Sequence, residues 1–140
     1  MATQEYRVSL RRQENGETTI ASVRDFELRL ASKSGDPSVG INPAETLLAA
    51  VGACITSSLG LVARNSRVRL DRVEVVVEGT RQDSPPMMIF IRYTVFLDTP
   101  EPDDKVDRLL RIAERNSTVI STLKGAVDVQ GGWRRGPQPH

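Results

Sequence analysis

The sequence predicts an α+β fold, and three observations carry the prediction. Short segments with strand-like alternation come first, one long run without a charged residue follows, and further strands and two shorter helical patterns close the chain. Strands and helices grouped in this way, rather than strictly alternating, point to an antiparallel sheet with a central helix against it.

Tyr6 to Leu10 alternates apolar and polar residues, as a half-buried strand does. Glu14-Asn15-Gly16-Glu17 contains Asn-Gly, a strong hairpin signal. Thr18 to Val23 and Phe26 to Leu30 continue as strands, the second with Phe26, Leu28 and Leu30 on one face. Ser32 to Gly40, rich in Ser, Gly and Pro, reads as a loop. The long helix then starts on Asn42-Pro43-Ala44-Glu45. Asn42 can cap, Pro43 suits the first helical position, and Glu45 can close a capping box. This helix should run to about Asn65.

Val73, Val75 and Val77 mark a further strand, and Ser84-Pro85-Pro86 breaks the chain. Met88 to Leu97 is a long strand with Ile89, Ile91, Tyr93, Val95 and Leu97 on one face. Asp103 opens a second helix, with Val106, Leu109, Leu110 and Ala113 at helical spacing. Ser117 caps a short third helix to Lys124, and Ala126 to Gln130 forms the last strand. A single domain over residues 1–132 is expected, with 133–140 as a flexible tail.

Composition limits the function. Lys plus Arg number 19 against 18 Asp plus Glu, so no whole-chain charge draws the protein to nucleic acid or anionic lipid. The N-terminus has no apolar segment of the secretory kind. The single cysteine, Cys54, cannot form an internal disulfide, which fits a reducing compartment and a cytoplasmic protein. The charge-free run from Thr46 to Ala63 approaches the length of a membrane span. Thr46, Gly52, Thr56, Ser57, Ser58 and Gly60 dilute it, however, and no Trp or Tyr anchors flank it. A helix apolar on nearly every face is expected to be buried on every face. A domain this small can hardly surround such a helix alone, so a partner subunit is expected.

Little catalytic chemistry is on offer. The only histidine is His140, so neither a metal cluster nor a Ser-His-Asp or Cys-His arrangement is expected. Gly52 and Gly60 lie inside a helix rather than in a phosphate-binding loop. No cofactor is implied. What remains is the thiol, a few carboxylates and several arginines. In composition alone Cys54 reads as a small core hydrophobe, and mid-helix it lacks the thiolate stabilisation of a helix N-terminus.

The stretch from Asn42 through Pro43, Glu45, Leu47, Leu48 and Gly52 to Cys54 resembles the central-helix signature of the OsmC/Ohr superfamily, the osmotically inducible and organic hydroperoxide resistance proteins. Val23 to Leu28 is similar to a strand motif of OsmC-like members. Ile112 to Val119, followed by Thr122-Leu123 and Gly125 to Val127, is similar to the family's second cysteine motif. The resemblance implies an OsmC-like fold in an intertwined homodimer, with antiparallel sheets around a long buried central helix. It also implies thiol peroxidase chemistry in oxidative stress defence, with Cys54 at the peroxidatic position. In active members a second cysteine closes a disulfide that an external dithiol reduces. Ser117 stands at that second position here, with Thr118 in place of the proline that commonly follows. A two-cysteine cycle is therefore impossible, and an outside thiol must resolve any sulfenic acid.

The same resemblance implies an arginine beside the thiolate, oriented by a glutamate near the start of the central helix. Arg24, in the matching strand motif, is the candidate, with an outward-facing strand arginine as the equally weighted alternative; Arg92 is a weaker one. Glu45 lies nine residues before Cys54, so roughly 900° of helix turn places it on the opposite side, which favours capping over arginine orientation. Leu47, Val51, Ile55, Met87, Met88, Phe90 and Val119 could line an apolar pocket for organic hydroperoxides, or could simply be core. Two functions remain open: a peroxidase using Cys54 and an external thiol, or a non-catalytic dimer that binds a lipophilic ligand or senses oxidant.

Overall fold

The computed structural model describes residues 1–32 and 37–139. Residues 33–36, inside the expected Ser32–Gly40 loop, and His140 lie outside them. The chain forms two compact units, Met1–Leu47 and Leu48–His140.

In the first unit, β1 (Ser9–Arg12), β2 (Thr18–Val23) and β3 (Phe26–Ala31) form an antiparallel meander. The Asn-Gly signal sits in the first hairpin, where Gly16 adopts φ 76° and the Asn15 side-chain oxygen accepts from the backbone N–H of Glu17 at 2.9 Å. The first strand is shifted from the expected Tyr6–Leu10. The Gln13 N–H donates to the Thr18 carbonyl at 2.8 Å, which closes the hairpin and sets Arg12 opposite Thr19. Counting back along β1, the ladder ends at Ser9 opposite Ser22. Leu10, Ala21 and Leu28 then align across one face. Farther along, Ala31 donates to the Ile41 carbonyl at 2.8 Å, just before the helix start.

The long helix α1 (Pro43–Asn65) opens on the expected capping box. The Asn42 side chain accepts from the Glu45 N–H at 2.8 Å, and the Glu45 carboxylate accepts from the Asn42 N–H at 2.9 Å. Two otherwise orphaned donors are satisfied reciprocally, so the start of the helix is set locally.

In the second unit, β4 (Arg72–Asp83), β5 (Pro86–Asp98) and β6 (Asp128–Arg135) form one sheet in that order, and α2 (Asp103–Arg115) and α3 (Thr118–Leu123) connect β5 to β6. The β4–β5 pair is antiparallel and turns at Ser84-Pro85, with a bulge at Thr80/Arg81. The β5–β6 pair is parallel, unlike the purely antiparallel sheet the sequence implied. Two helices intervene between these strands, and a helical crossover returns the chain in the same direction.

Ile91, Tyr93, Val95 and Leu97 of β5 are buried together on the face the alternation marked. The second-unit part of α1 packs on this sheet: a Cβ at Gly52 would lie 3.2 Å from Val77 Cγ2, and Leu48 and Met88 close over Gly79. Gly131 leaves room for the ring of its β5 partner Tyr93. Strand β6 runs to Arg135, so Trp133 to Arg135 are strand rather than tail. Side chains anchor this extension. The Trp133 indole N–H donates to Asp107 at 2.7 Å, and Arg135 donates to Asp103 at 2.8 Å and to the Glu101 carbonyl at 2.6 Å.

Candidate functional site

Helical periodicity gives α1 two unlike sides. Val51, Ile55, Leu59 and Val62 are buried, whereas Ala49, Ala53, Thr56, Ser57, Gly60 and Leu61 are exposed. Cys54 lies at the boundary between them and is half-buried. The helix is long and apolar enough to cross a membrane by length and composition, yet one side of it is packed against protein. The expectation of burial on every face is met on one side only within this chain.

Ser58, one turn beyond Cys54, donates from Oγ to the Asn116 carbonyl at 3.5 Å. Ser117 follows directly and is fully buried. Its hydroxyl accepts from the Ile120 N–H at 3.5 Å, which makes it the N-cap of α3. The fold therefore brings the α2–α3 junction beside the Cys54–Ser58 turn of α1. Sequence reasoning did not single out Ser58, although its i, i+4 spacing from Cys54 is visible in the chain.

The apolar candidates fall in different settings. Val51 and Ile55 have no exposed surface and are core residues of this chain. Met88 and Val119 are half-buried. Met88 lies against Leu48 over Gly79. Met87 and Phe90 are exposed, with the Arg92 guanidinium 5.2 Å from the Phe90 ring centroid.

Arg92 is already engaged. Its guanidinium pairs with the Asp128 carboxylate at 2.9 Å and donates to the Asp128 carbonyl at 2.8 Å, joining β5 to the start of β6. That is a strand-locking role. Arg24, Glu45 and Leu47 belong to the first unit. Arg24 stands in the two-residue turn between β2 and β3 rather than within a strand, because Val23 pairs directly with Phe26. It adopts φ 53°, is exposed, and lies 5.6 Å from the Phe26 ring centroid. The Glu45 carboxylate is held in the capping box, as the helical rotation favoured.

Tyr93 has a buried hydroxyl without a hydrogen-bond partner among the described residues. Burial first, and then the neighbouring Glu114 carboxylate, holds its phenol well above the ordinary tyrosine range.

An α+β fold with one half-buried thiol on a long apolar helix, and a serine-capped helix junction beside it, defines the class of protein. The family model of OsmC-like proteins matches residues 33–130, and the chain belongs to that family. No curated protein matches the sequence. Solved structures share the fold at low identity. An OsmC-like protein from Mycoplasma pneumoniae is 15% identical with a TM-score of 0.89, over 97% of this chain and 100% of that one. The organic hydroperoxide resistance protein OhrB of Bacillus subtilis is 18% identical at TM-score 0.71, over 95% and 100%. An organic hydroperoxide resistance protein OsmC from Legionella pneumophila, also described as a predicted redox protein, is 19% identical at 0.76, over 94% and 98%.

Proposed function

We propose that this protein is a cytoplasmic one-cysteine peroxidase that reduces organic hydroperoxides through Cys54 and is regenerated by an external thiol. The observation that carries the reading is the placement of Cys54: a half-buried thiol on the central helix of a family that includes hydroperoxide resistance proteins. Its thiolate attacks the terminal peroxide oxygen and the O–O bond breaks. The alcohol departs after taking a proton, and the sulfur is left as a sulfenic acid, two electrons more oxidised. One external thiol displaces water to form a mixed disulfide. A second thiol releases Cys54 and leaves as the external disulfide.

Arg24 is the candidate for thiolate activation, acting within a homodimer. Two surfaces support a second copy: the exposed Leu10, Phe26 and Leu28 on one face of the first sheet, and the exposed Ala49, Ala53, Ser57, Gly60 and Leu61 along the middle of α1. Half-buried Met88 and Val119, with exposed Phe90, are the apolar residues available to an alkyl group. A second reading, a non-catalytic dimer that binds a lipophilic ligand or senses oxidant, draws on Ser117, which cannot form a disulfide.

The test mixes reduced protein with one equivalent of cumene hydroperoxide or hydrogen peroxide and follows Cys54 by intact mass and a sulfenic acid trap. Fast oxidation selective for the organic peroxide, lost in Cys54→Ser and slowed in Arg24→Ala, is expected. Oxidation no faster than that of a free thiol leaves the non-catalytic reading in place. Sedimentation at micromolar concentration tests the dimer.

A further inference from the structure

Helix α2 buries Val106, Leu109, Leu110 and Ala113. Its opposite side carries Arg108, Arg111 and Arg115, spaced three and four residues apart and spanning about 10 Å of helix axis. Lys124, at the end of α3, joins them. Together with Ile112 and Glu114, these four cations line a cleft of about 370 Å³.

Elsewhere in the second unit, Arg69, Arg72, Arg81, Arg92, Lys105 and Arg135 are each ion-paired with a carboxylate, whereas Arg64, Arg67 and Arg134 have no ion pair among the described residues. None of the four cations in the cleft joins an ion pair or hydrogen bond among the described residues. Their neighbouring carboxylate, Glu114, is the one that acts on the Tyr93 phenol. Basic groups in the last turn of a helix offset its dipole, which accounts for Arg115. That argument does not reach Arg108, two turns earlier, nor the convergence of Lys124 on the same space. The two helix C-termini contribute roughly half a negative charge each, so with Glu114 the cleft keeps a net charge of about +2.

We infer that this cleft binds a compact polyphosphate group. Guanidinium forks match phosphate oxygens in pairs, and an ammonium adds a point charge. A triphosphate concentrates its charge within a space of this size. Successive side chains of an extended acidic peptide point to opposite faces, so carboxylates on one face are about 6.6 Å apart and three of them span about 13 Å, more than the length over which the arginines are spread.

Titration calorimetry of the full chain with inorganic triphosphate tests the inference. One site per chain is expected, with affinity falling as salt rises. In R111E/R115E the affinity should drop by about tenfold or more. R64E, which alters an arginine outside the cleft, should leave it unchanged. Circular dichroism checks folding, and the milder R108Q/K124Q supplies the same test if the double reversal does not fold. Binding of ATP equal to that of triphosphate supports a free phosphate ligand, and tighter ATP binding supports a nucleotide. Absence of binding at millimolar triphosphate, unchanged affinity in both cleft variants, or tighter binding of a polyglutamate peptide overturns the inference.

Discussion

Replacing Ser117 by cysteine should let this chain close a disulfide onto Cys54. The structure supplies the reason. Ser58 donates to the Asn116 carbonyl at 3.5 Å, so position 117 arrives beside α1 one turn from Cys54. In the reduced S117C protein the N-cap of α3 is weakened. The present cap bond is long, at 3.5 Å, so its loss should cost about 0.5 kcal/mol, the low end for such caps. Once oxidised, the bridge closes a loop of roughly 60 residues, and the lost chain entropy in the unfolded state is worth about 4 kcal/mol at 25 °C. The cap loss is far smaller, so the bridge dominates. For a chain of this length the net gain corresponds to roughly 10 °C in Tm. The assay is diamide oxidation of S117C, followed by non-reducing peptide mapping and thermal unfolding with and without dithiothreitol. A disulfide-linked pair of peptides, one carrying Cys54 and the other the substituted position 117, is expected, together with a reductant-sensitive rise in Tm. A variant that folds and has an oxidisable Cys54, yet forms no such pair, would refute the placement of position 117 beside that turn.

Three further outcomes follow from local packing. Glu45→Ala should cost about 1 kcal/mol by denaturant unfolding, through the capping box, while leaving the rate of Cys54 oxidation by hydroperoxide within about twofold; a large rate loss would give Glu45 a catalytic part. Tyr93→Phe removes a buried hydroxyl that has no hydrogen-bond partner among the described residues, and should stabilise the protein by about 1 kcal/mol. Because burial keeps the folded phenol protonated while the unfolded one ionises above about pH 10, wild-type stability falls as pH rises past that point, so Tyr93→Phe should lessen alkaline destabilisation there; identical curves would contradict the burial argument. Gly131→Ala puts a methyl where the Tyr93 ring lies and should cost about 1–3 kcal/mol in chemical denaturation, whereas Gly132→Ala, with open space at its Cβ, should cost far less.

Much of this protein was legible locally. Asn42, Pro43 and Glu45 determine the start of α1, because the capping bonds span three residues and need nothing beyond them. The alternation from Ile89 to Leu97 marked the buried face of β5, because a pleated strand turns every second side chain the same way. Ser117 capped α3 for the same short-range reason. Tertiary structure decided what depends on residues far apart in the chain. The parallel seating of β6 follows from the helical crossover through α2 and α3, and its extension to Arg135 rests on Trp133 reaching Asp107 and Arg135 reaching Asp103, bonds between segments more than twenty residues apart. Arg92 became a strand clamp only when Asp128 arrived beside it. Ser58 met Asn116 only when α1 and the α2–α3 junction came together, and the cations of α2 formed a cleft only when α3 brought Lys124 to their side. Hydrogen bonds to near neighbours are written in sequence spacing; which distant charge finds which partner is settled by packing alone.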